Sequence, residues 1–429
     1  MTPRHVLVLG AGPAGLAFAY CYGAGARILE QDQRVGGLSK SLQIRDGVFD
    51  LGGHSFHTPH KEVADLIQQL MNNNWHQQTR DARVWFNGEQ IPYPFQHHYT
   101  KLNNATITND CQDHHYDSTS TANSKNLKEW MYNRFGSGIT QHFMLPYNQK
   151  LWAHNLEEIS CEWVDQRIAT TQELQRHNQT TRQPLQTNST IGYPLEGGFG
   201  RIYEELASHC KHIQFEQKVT GLDPKKKTLT TEVGSQWPWE TIVSTLPITH
   251  LLSCIKPCPN EMIQLAEGLQ AVSLKILCIL AKRISSTVPQ RIYIADPNIP
   301  PHKVAFNHTS SPALLARQHH AITCEISYSK TKPALADPVL TQRSIAWLID
   351  AGFVQSVEDV VETRIVDLPY GYPINTQSTT KIIKIIQTFL KTHNIHSIGR
   401  FGAWQYANSD ECVRQGLDLA RHLKQSVST

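Results

Sequence analysis

A short apolar run, Val6-Leu7-Val8-Leu9, breaks directly into Gly10-Ala11-Gly12-Pro13-Ala14-Gly15, and an Ala-rich helical stretch follows. This strand, glycine turn and helix constrain the fold more than any other feature of the chain. Glu30 closes a second apolar run, Ala26-Arg27-Ile28-Leu29, at the separation where a dinucleotide fold places the carboxylate that binds a ribose hydroxyl. Gly10 permits the tight turn, Gly12 lets backbone approach a pyrophosphate, and Gly15 lets helix and strand pack closely. The helix N-terminus offers unpaired N–H groups and the positive end of its dipole to phosphates. The expectation is an α/β protein built on a Rossmann-type unit.

Gly36-Gly37, followed by Leu38 and Ser39, lies within a turn of Glu30 and favours FAD over a nicotinamide dinucleotide. At 429 residues and 40% hydrophobic composition the chain can bury a large core in two or three units. Its formal charge of +3, with Lys and Arg scattered among acids, carries no signature of nucleic-acid binding. No H-E-x-x-H or close His/Cys set appears among the 22 histidines, so no metal is expected. Nine cysteines without framework spacing, no room for a signal peptide before Val6, and no apolar stretch of spanning length predict a reduced cytoplasmic protein without a membrane span. Nothing in the sequence indicates an oligomeric state.

The chain divides into a discontinuous FAD-binding domain (1–95 with 190–250 and 368–429), an inserted helical domain (96–189) and a mixed-sheet substrate domain (251–367). Helical periodicity dominates 126–168, with Trp130, Met131, Phe135, Phe143 and Met144 as core positions. The polar stretch 97–125 reads as a long surface loop or a lid. Strand signals return over 213–247, including Val219 beside Gly221, and 272–280 fits a buried strand. Further strand-like runs lie in 272–329 and 343–367, and Gly399-Arg400-Phe401-Gly402 opens the C-terminal helical tail.

Several ordered segments carry a resemblance: Arg83-Val84-Trp85-Phe86, Pro92-Tyr93-Pro94-Phe95-Gln96, Pro146 through Ala153, Trp163 with Arg167, Gly197-Gly198-Phe199-Gly200, Gly371-Tyr372-Pro373 and Gly399 through Tyr406. Together they resemble the UDP-galactopyranose mutase family, the eukaryotic-type branch most, within the FAD-dependent amine oxidase and protoporphyrinogen oxidase-like superfamily. The resemblance implies an FAD-dependent interconversion of pyranose and furanose nucleotide sugars, in which reduced-flavin N5 attacks the anomeric carbon. NADPH or NADH is the implied external reductant, and UDP-galactopyranose the implied substrate.

The same resemblance assigns Arg400, Arg167, Tyr372 and Tyr406 to the diphosphate, where arginine forks and phenol hydroxyls suit phosphate oxygens. It assigns Phe95, Gln96, Asn148 and Trp152 to the nucleoside, and His54 to a loop facing the flavin beside Gly53. Glu325 matches a carboxylate of the sugar region and Tyr293 a substrate contact. Asn408 and Asp410 match positions near the flavin at the opening of the last helix. One departure stands out: where the family carries a diphosphate-gripping arginine, the segment 293–306 offers Lys303, which keeps the charge and loses the bidentate fork. Arg291 lies nearby, at a position that argues against substitution. Two other classes stay open at this level: a conventional flavin oxidase or dehydrogenase, and a non-catalytic nucleotide-sugar binder.

Overall fold

The computed structural model describes residues 5–112, 124–164, 190–284 and 288–428. Five parallel strands form one sheet in the spatial order Ile395–Ser397, Thr241–Ser244, Val6–Leu9, Ala26–Leu29 and Ile213–Gln214. Side-chain alternation sorts the strands onto two cores. Val6, Val8, Ile28 and Val243 face the helix Pro13–Tyr22 and the last helix, Ser409–Ser428, whereas Leu7, Leu9, Leu29 and Ile242 face Ile383, Ile386 and Leu390 of the helix Thr379–Thr392. Burial on both faces is what continuous apolar runs in a parallel sheet require. The meander Val219–Asp223, Thr228–Thr231 and Gln236–Pro238 lies between two of its strands in sequence.

The second sheet has seven strands in the order Val360–Pro373, Ala271–Lys282, His319–Tyr328, Lys303–Phe306, Arg291–Ile294, Ala82–Phe86 and Glu89–Pro92. Pairing is antiparallel except where Arg291–Ile294 runs parallel to Ala82–Phe86. Residues 82–92 therefore pair into this sheet rather than with the parallel one. Local sequence carries no trace of such a pairing, because its partner strand is remote in the chain.

The helical unit contains Phe95–His98, Ala105–Gln112, Leu127–Ile139 and Leu145–Trp152. Trp130, Met131, Phe135, Phe143 and Met144 are all buried in it. Residues 153–164 hold no α-helix, so the helical run stops earlier than its periodicity suggested. The expectation of a loop or lid is corrected over 97–112, where Ala105–Gln112 is helical; 113–123 lie outside the described residues. Asn104 Oδ1 accepts the Ile107 N–H at 3.1 Å, and Ile107 and Cys111, one turn apart, bury against the core. A polar composition hid that two-residue stripe. A second correction falls on 343–350, which belong to the helix Asp337–Asp350, opened by a proline and burying Leu340, Trp347 and Leu348. Among the described residues no helix is long and apolar enough to cross a membrane.

Candidate active site

The first strand delivers the helix Pro13–Tyr22 with no side-chain cap on its N-terminus. A Cβ at Gly15 would lie 2.1 Å from the Gly10 carbonyl oxygen, so only glycine fits between turn and helix. At Gly12 the reverse holds: a Cβ would meet nothing within 4 Å, because the backbone opens on a cavity of about 640 Å³. Glu30 is buried, and its carboxylate accepts the Ala11 N–H at 2.6 Å and the Asp32 N–H at 3.0 Å. Burial pushes its carboxyl above the ordinary range while the two N–H groups oppose the shift. The Gly36 N–H bonds the Ala11 carbonyl at 2.8 Å and ties the second glycine pair over the first turn. A bare helix terminus, a buried carboxylate and open space at Gly12 fit a bound dinucleotide.

The seven-stranded sheet supplies the opposite wall. Its register sets Tyr293 against Lys303 and Lys303 against Glu325, and Arg291 shares their face two positions before Tyr293. The intervening Ile292, Val304 and Cys324 turn to the core behind. Glu325 is 1% exposed; its Oε1 accepts from Lys303 Nζ at 2.7 Å and from the Gly53 N–H at 2.6 Å. Its Oε2 lies 3.4 Å from the Tyr372 hydroxyl and 3.7 Å from His302 Nε2. Burial alone would push this carboxyl up, but Lys303, His302 and these hydrogen bonds hold it at about 2. Lys303 is thus neutralised within the protein.

Because Gly53 is tied to Glu325, His54 is set into the cavity wall, where its ring stacks on Phe199 at 5.0 Å. Phe199 is held in turn by Asp50, fully buried, which accepts from its N–H at 3.0 Å, from Ser41 Oγ at 2.5 Å and from the Tyr193 hydroxyl at 2.7 Å. Burial raises the Asp50 carboxyl to about 6, against the pull of those donors. Burial, reinforced by Lys303, Arg291 and Arg400, lowers His54 to about 3, so its imidazole is neutral and its unpartnered Nδ1 is buried.

Arg400 sits in the short helical turn Gly399–Gly402, its guanidinium carbon 4.9 Å from the Tyr372 ring and 5.2 Å from the Tyr406 ring. Trp152 and Trp163 stand behind Tyr406 at 5.6 and 5.3 Å. The Arg400 Nε and both indole N–H groups are buried without an acceptor among the described residues. The arrangement is a cationic, aromatic wall with donors to spare.

Most of the expected positions converge on this cavity. Gly10, Gly12, Pro13, Ala14, Glu30, Gly37, Leu38, Ser39 and Val219 line one part of it, with Gly399, Asn408 and Asp410. Gly53, His54, Lys303, Tyr372, Arg400 and Tyr406 line the rest. Gly15, Gly36, Glu325 and Tyr293 stand just behind these, in the contacts given above and, for Tyr293, in one with Arg80 at 2.7 Å. Four nucleoside candidates do not reach the wall. Phe95 stacks on Phe143 at 4.7 Å, Asn148 donates to the Met144 carbonyl at 2.8 Å, Gln96 is buried in the helical unit, and Trp152 meets the cavity only through Tyr372 and Tyr406. Arg167 lies outside the described residues. The sequence reading missed Arg80 and set Arg291 aside, yet both line the cavity. Alternation of Arg291 with Tyr293 on one strand was the available signal; for Arg80 there was none.

A glycine-turn parallel sheet joined to a mixed sheet, with one cavity between turn and sheet, defines the fold of FAD-dependent oxidoreductases. The chain belongs to the flavin-containing amine oxidoreductase family, whose model matches residues 14–295. A structure of reduced UDP-galactopyranose mutase is similar over 100% of this chain and 95% of its own, with a TM-score of 0.89 and 25% identity. Cyclohexylamine oxidase from Brevibacterium oxydans IH-35A shares the fold at a TM-score of 0.73, with 13% identity and 100% of both chains covered. In sequence, L-amino acid oxidase Cdc18 of Crotalus durissus cumanensis is 36% identical over 89 residues, which is 20% of this chain and only 18% of that oxidase.

Proposed function

We propose that this chain is an FAD-dependent nucleotide-sugar mutase that interconverts pyranose and furanose forms, with UDP-galactopyranose as the leading substrate. The observation that carries the reading is Arg400 clasped between Tyr372 and Tyr406 on the cavity that the fingerprint loop opens, within a chain similar end to end to a UDP-galactopyranose mutase. FAD would be held by the Gly10–Gly15 turn and its helix, Glu30, the Gly36–Ser39 segment and the Asn408–Asp410 corner, and in its reduced form supplies a nucleophile toward the anomeric carbon.

The protein groups do the remaining work. Arg400 offers its Nε and fork to a departing diphosphate, flanked by the Tyr372 and Tyr406 rings. Trp152 and Trp163 close the wall behind Tyr406 and keep water from the sugar. Glu325, ionised and fixed by Lys303 and Gly53, stands behind the wall and holds Gly53 and the Tyr372 hydroxyl in place. Neutral His54 holds a single proton on its ring and meets the cavity without adding charge.

The test is incubation of dithionite-reduced protein with UDP-galactopyranose and separation of the products. A furanose is expected with reduced protein and not with oxidised; none from any UDP-hexose defeats the proposal. The family match and the L-amino acid oxidase relative favour a second reading, an oxidase, which would consume oxygen with an amine or L-amino acid in proportion to product.

A further inference from the structure

Two arginines, Arg291 buried and Arg80 half-buried, take no part in the mechanism above. Arg80 precedes the strand Ala82–Phe86 and Arg291 begins Arg291–Ile294, and the parallel pairing of these strands brings both to the same cavity. Arg80 Nη2 donates to the Tyr293 hydroxyl at 2.7 Å, with the guanidinium 5.2 Å from the Tyr93 ring centroid. Arg291, 8% exposed, donates through Nη2 to Ser55 Oγ at 3.0 Å. The Nε of each is buried with no partner among the described residues. Among the described residues neither has a carboxylate within ion-pair distance, and the nearby Glu325 is already committed to Lys303 at 2.7 Å.

Neither charge is balanced by a carboxylate among the described residues: burial opposes the Arg80 guanidinium, but Tyr293 and Tyr93 raise it. Burial lowers the Arg291 guanidinium from its ordinary value, and the Arg80 charge lowers it further. Burial pushes the Tyr293 phenol up, yet Arg80, Arg291 and Lys303 together pull it down to about 8. Two neighbouring guanidiniums, one buried and one half-buried, with hydroxyl and aromatic partners and no carboxylate among the described residues, form an arrangement that a bound anion would complete. Their free N–H groups suit two oxygens of one planar or tetrahedral oxyanion.

We propose that Arg80 and Arg291, with Tyr293 and Ser55, form an oxyanion seat for a carboxylate or phosphate group of the substrate, separate from the Arg400–Tyr372–Tyr406 clasp. Lys303, locked to Glu325, does not serve this role, so the family arginine it replaces is made good from a different strand edge. The seat goes beyond the mutase reading, since an acidic group on a nucleotide sugar and the carboxylate of an amino acid share its chemistry.

The experiment measures binding of inorganic pyrophosphate, malonate and uridine to the FAD-loaded protein, together with its thermal midpoint. Arg80→Gln and Arg291→Gln are each expected to weaken at least one of the two anions at least tenfold and leave uridine unchanged. Arg83→Gln, which removes a nearby half-exposed arginine paired with Asp81, is expected to bind as wild type does. Loss confined to pyrophosphate assigns the seat to phosphate; loss confined to malonate assigns it to carboxylate. Without anion Arg291→Gln should melt no lower than wild type, because a charge disfavoured by burial and by Arg80 has been removed. Should the Gln variants fail to fold, Arg80→Lys and Arg291→Lys keep the charge, lose the fork and are expected to show the same loss. Anion binding equal to wild type in all four variants, no anion binding by wild type, or parallel loss of uridine overturns the proposal. The mutase reading fails separately, on the absence of furanose, whatever the anions do.

Discussion

Lys303→Met isolates the buried pair that anchors the loop at Gly53. In the native protein Glu325 is held at about 2, well below an ordinary glutamate, so its ionisation contributes on the order of 3 kcal/mol to stability. A depressed carboxyl contributes above its unfolded value and loses that contribution only as pH falls toward 2, so wild type draws the full amount from pH 5 to 8. Without Lys303 the same burial raises the Glu325 carboxyl above its unfolded value, and stability then falls as pH rises through the raised value. The deficit of Lys303→Met should therefore widen between pH 5 and pH 8, reaching ~3–5 kcal/mol for a buried charge left alone. Urea denaturation of the FAD-loaded protein at several pH values reads this directly. Lys303→Met/Glu325→Leu should recover most of the loss, because a buried ion pair exchanged for apolar side chains is close to neutral. A deficit that does not change with pH, or a double variant as weak as the single one, refutes Glu325 as an ionised anchor.

Arg400→Ala should keep the yellow flavin spectrum while lowering turnover by ~10²–10³-fold, the size seen when one preorganised donor to a developing anion is removed; loss of FAD instead would make Arg400 a cofactor residue. Gly12→Val should fold yet purify without flavin, since its side chain enters open cavity, whereas Gly15→Val should fail to fold because its Cβ meets the Gly10 carbonyl at 2.1 Å; absorbance near the flavin band against circular dichroism distinguishes the two. Asp50, raised to about 6, stabilises the fold below its unfolded value and loses about 3 kcal/mol of that as pH rises through 6. Asp50→Asn should therefore gain on wild type between pH 4 and pH 7, and thermal midpoints that stay parallel over that range would sink this assignment.

The dinucleotide end was legible because its physics is local. A turn that needs glycine, a helix terminus and a carboxylate one strand away lie within 30 residues, and Gly10, Gly12, Glu30 and Gly37 reach the cavity wall together. Core positions of the helical unit were equally readable from spacing alone, as Trp130 and Phe143 illustrate. Composition misled where two apolar residues sufficed: Ile107 and Cys111 sustain a helix in a stretch that reads as loop.

The fingerprint, its helix and the pairing of alternate side chains to two cores were determined by the sequence itself, since each depends on neighbours a few residues apart. Which charges are spent and which remain was decided only by tertiary structure. Lys303 and Glu325 cancel because two antiparallel strands bring them face to face, and Arg80 joins Arg291 because a parallel pairing closes a long loop. Electrostatic partnership depends on distance in space, and strand register between remote segments sets that distance.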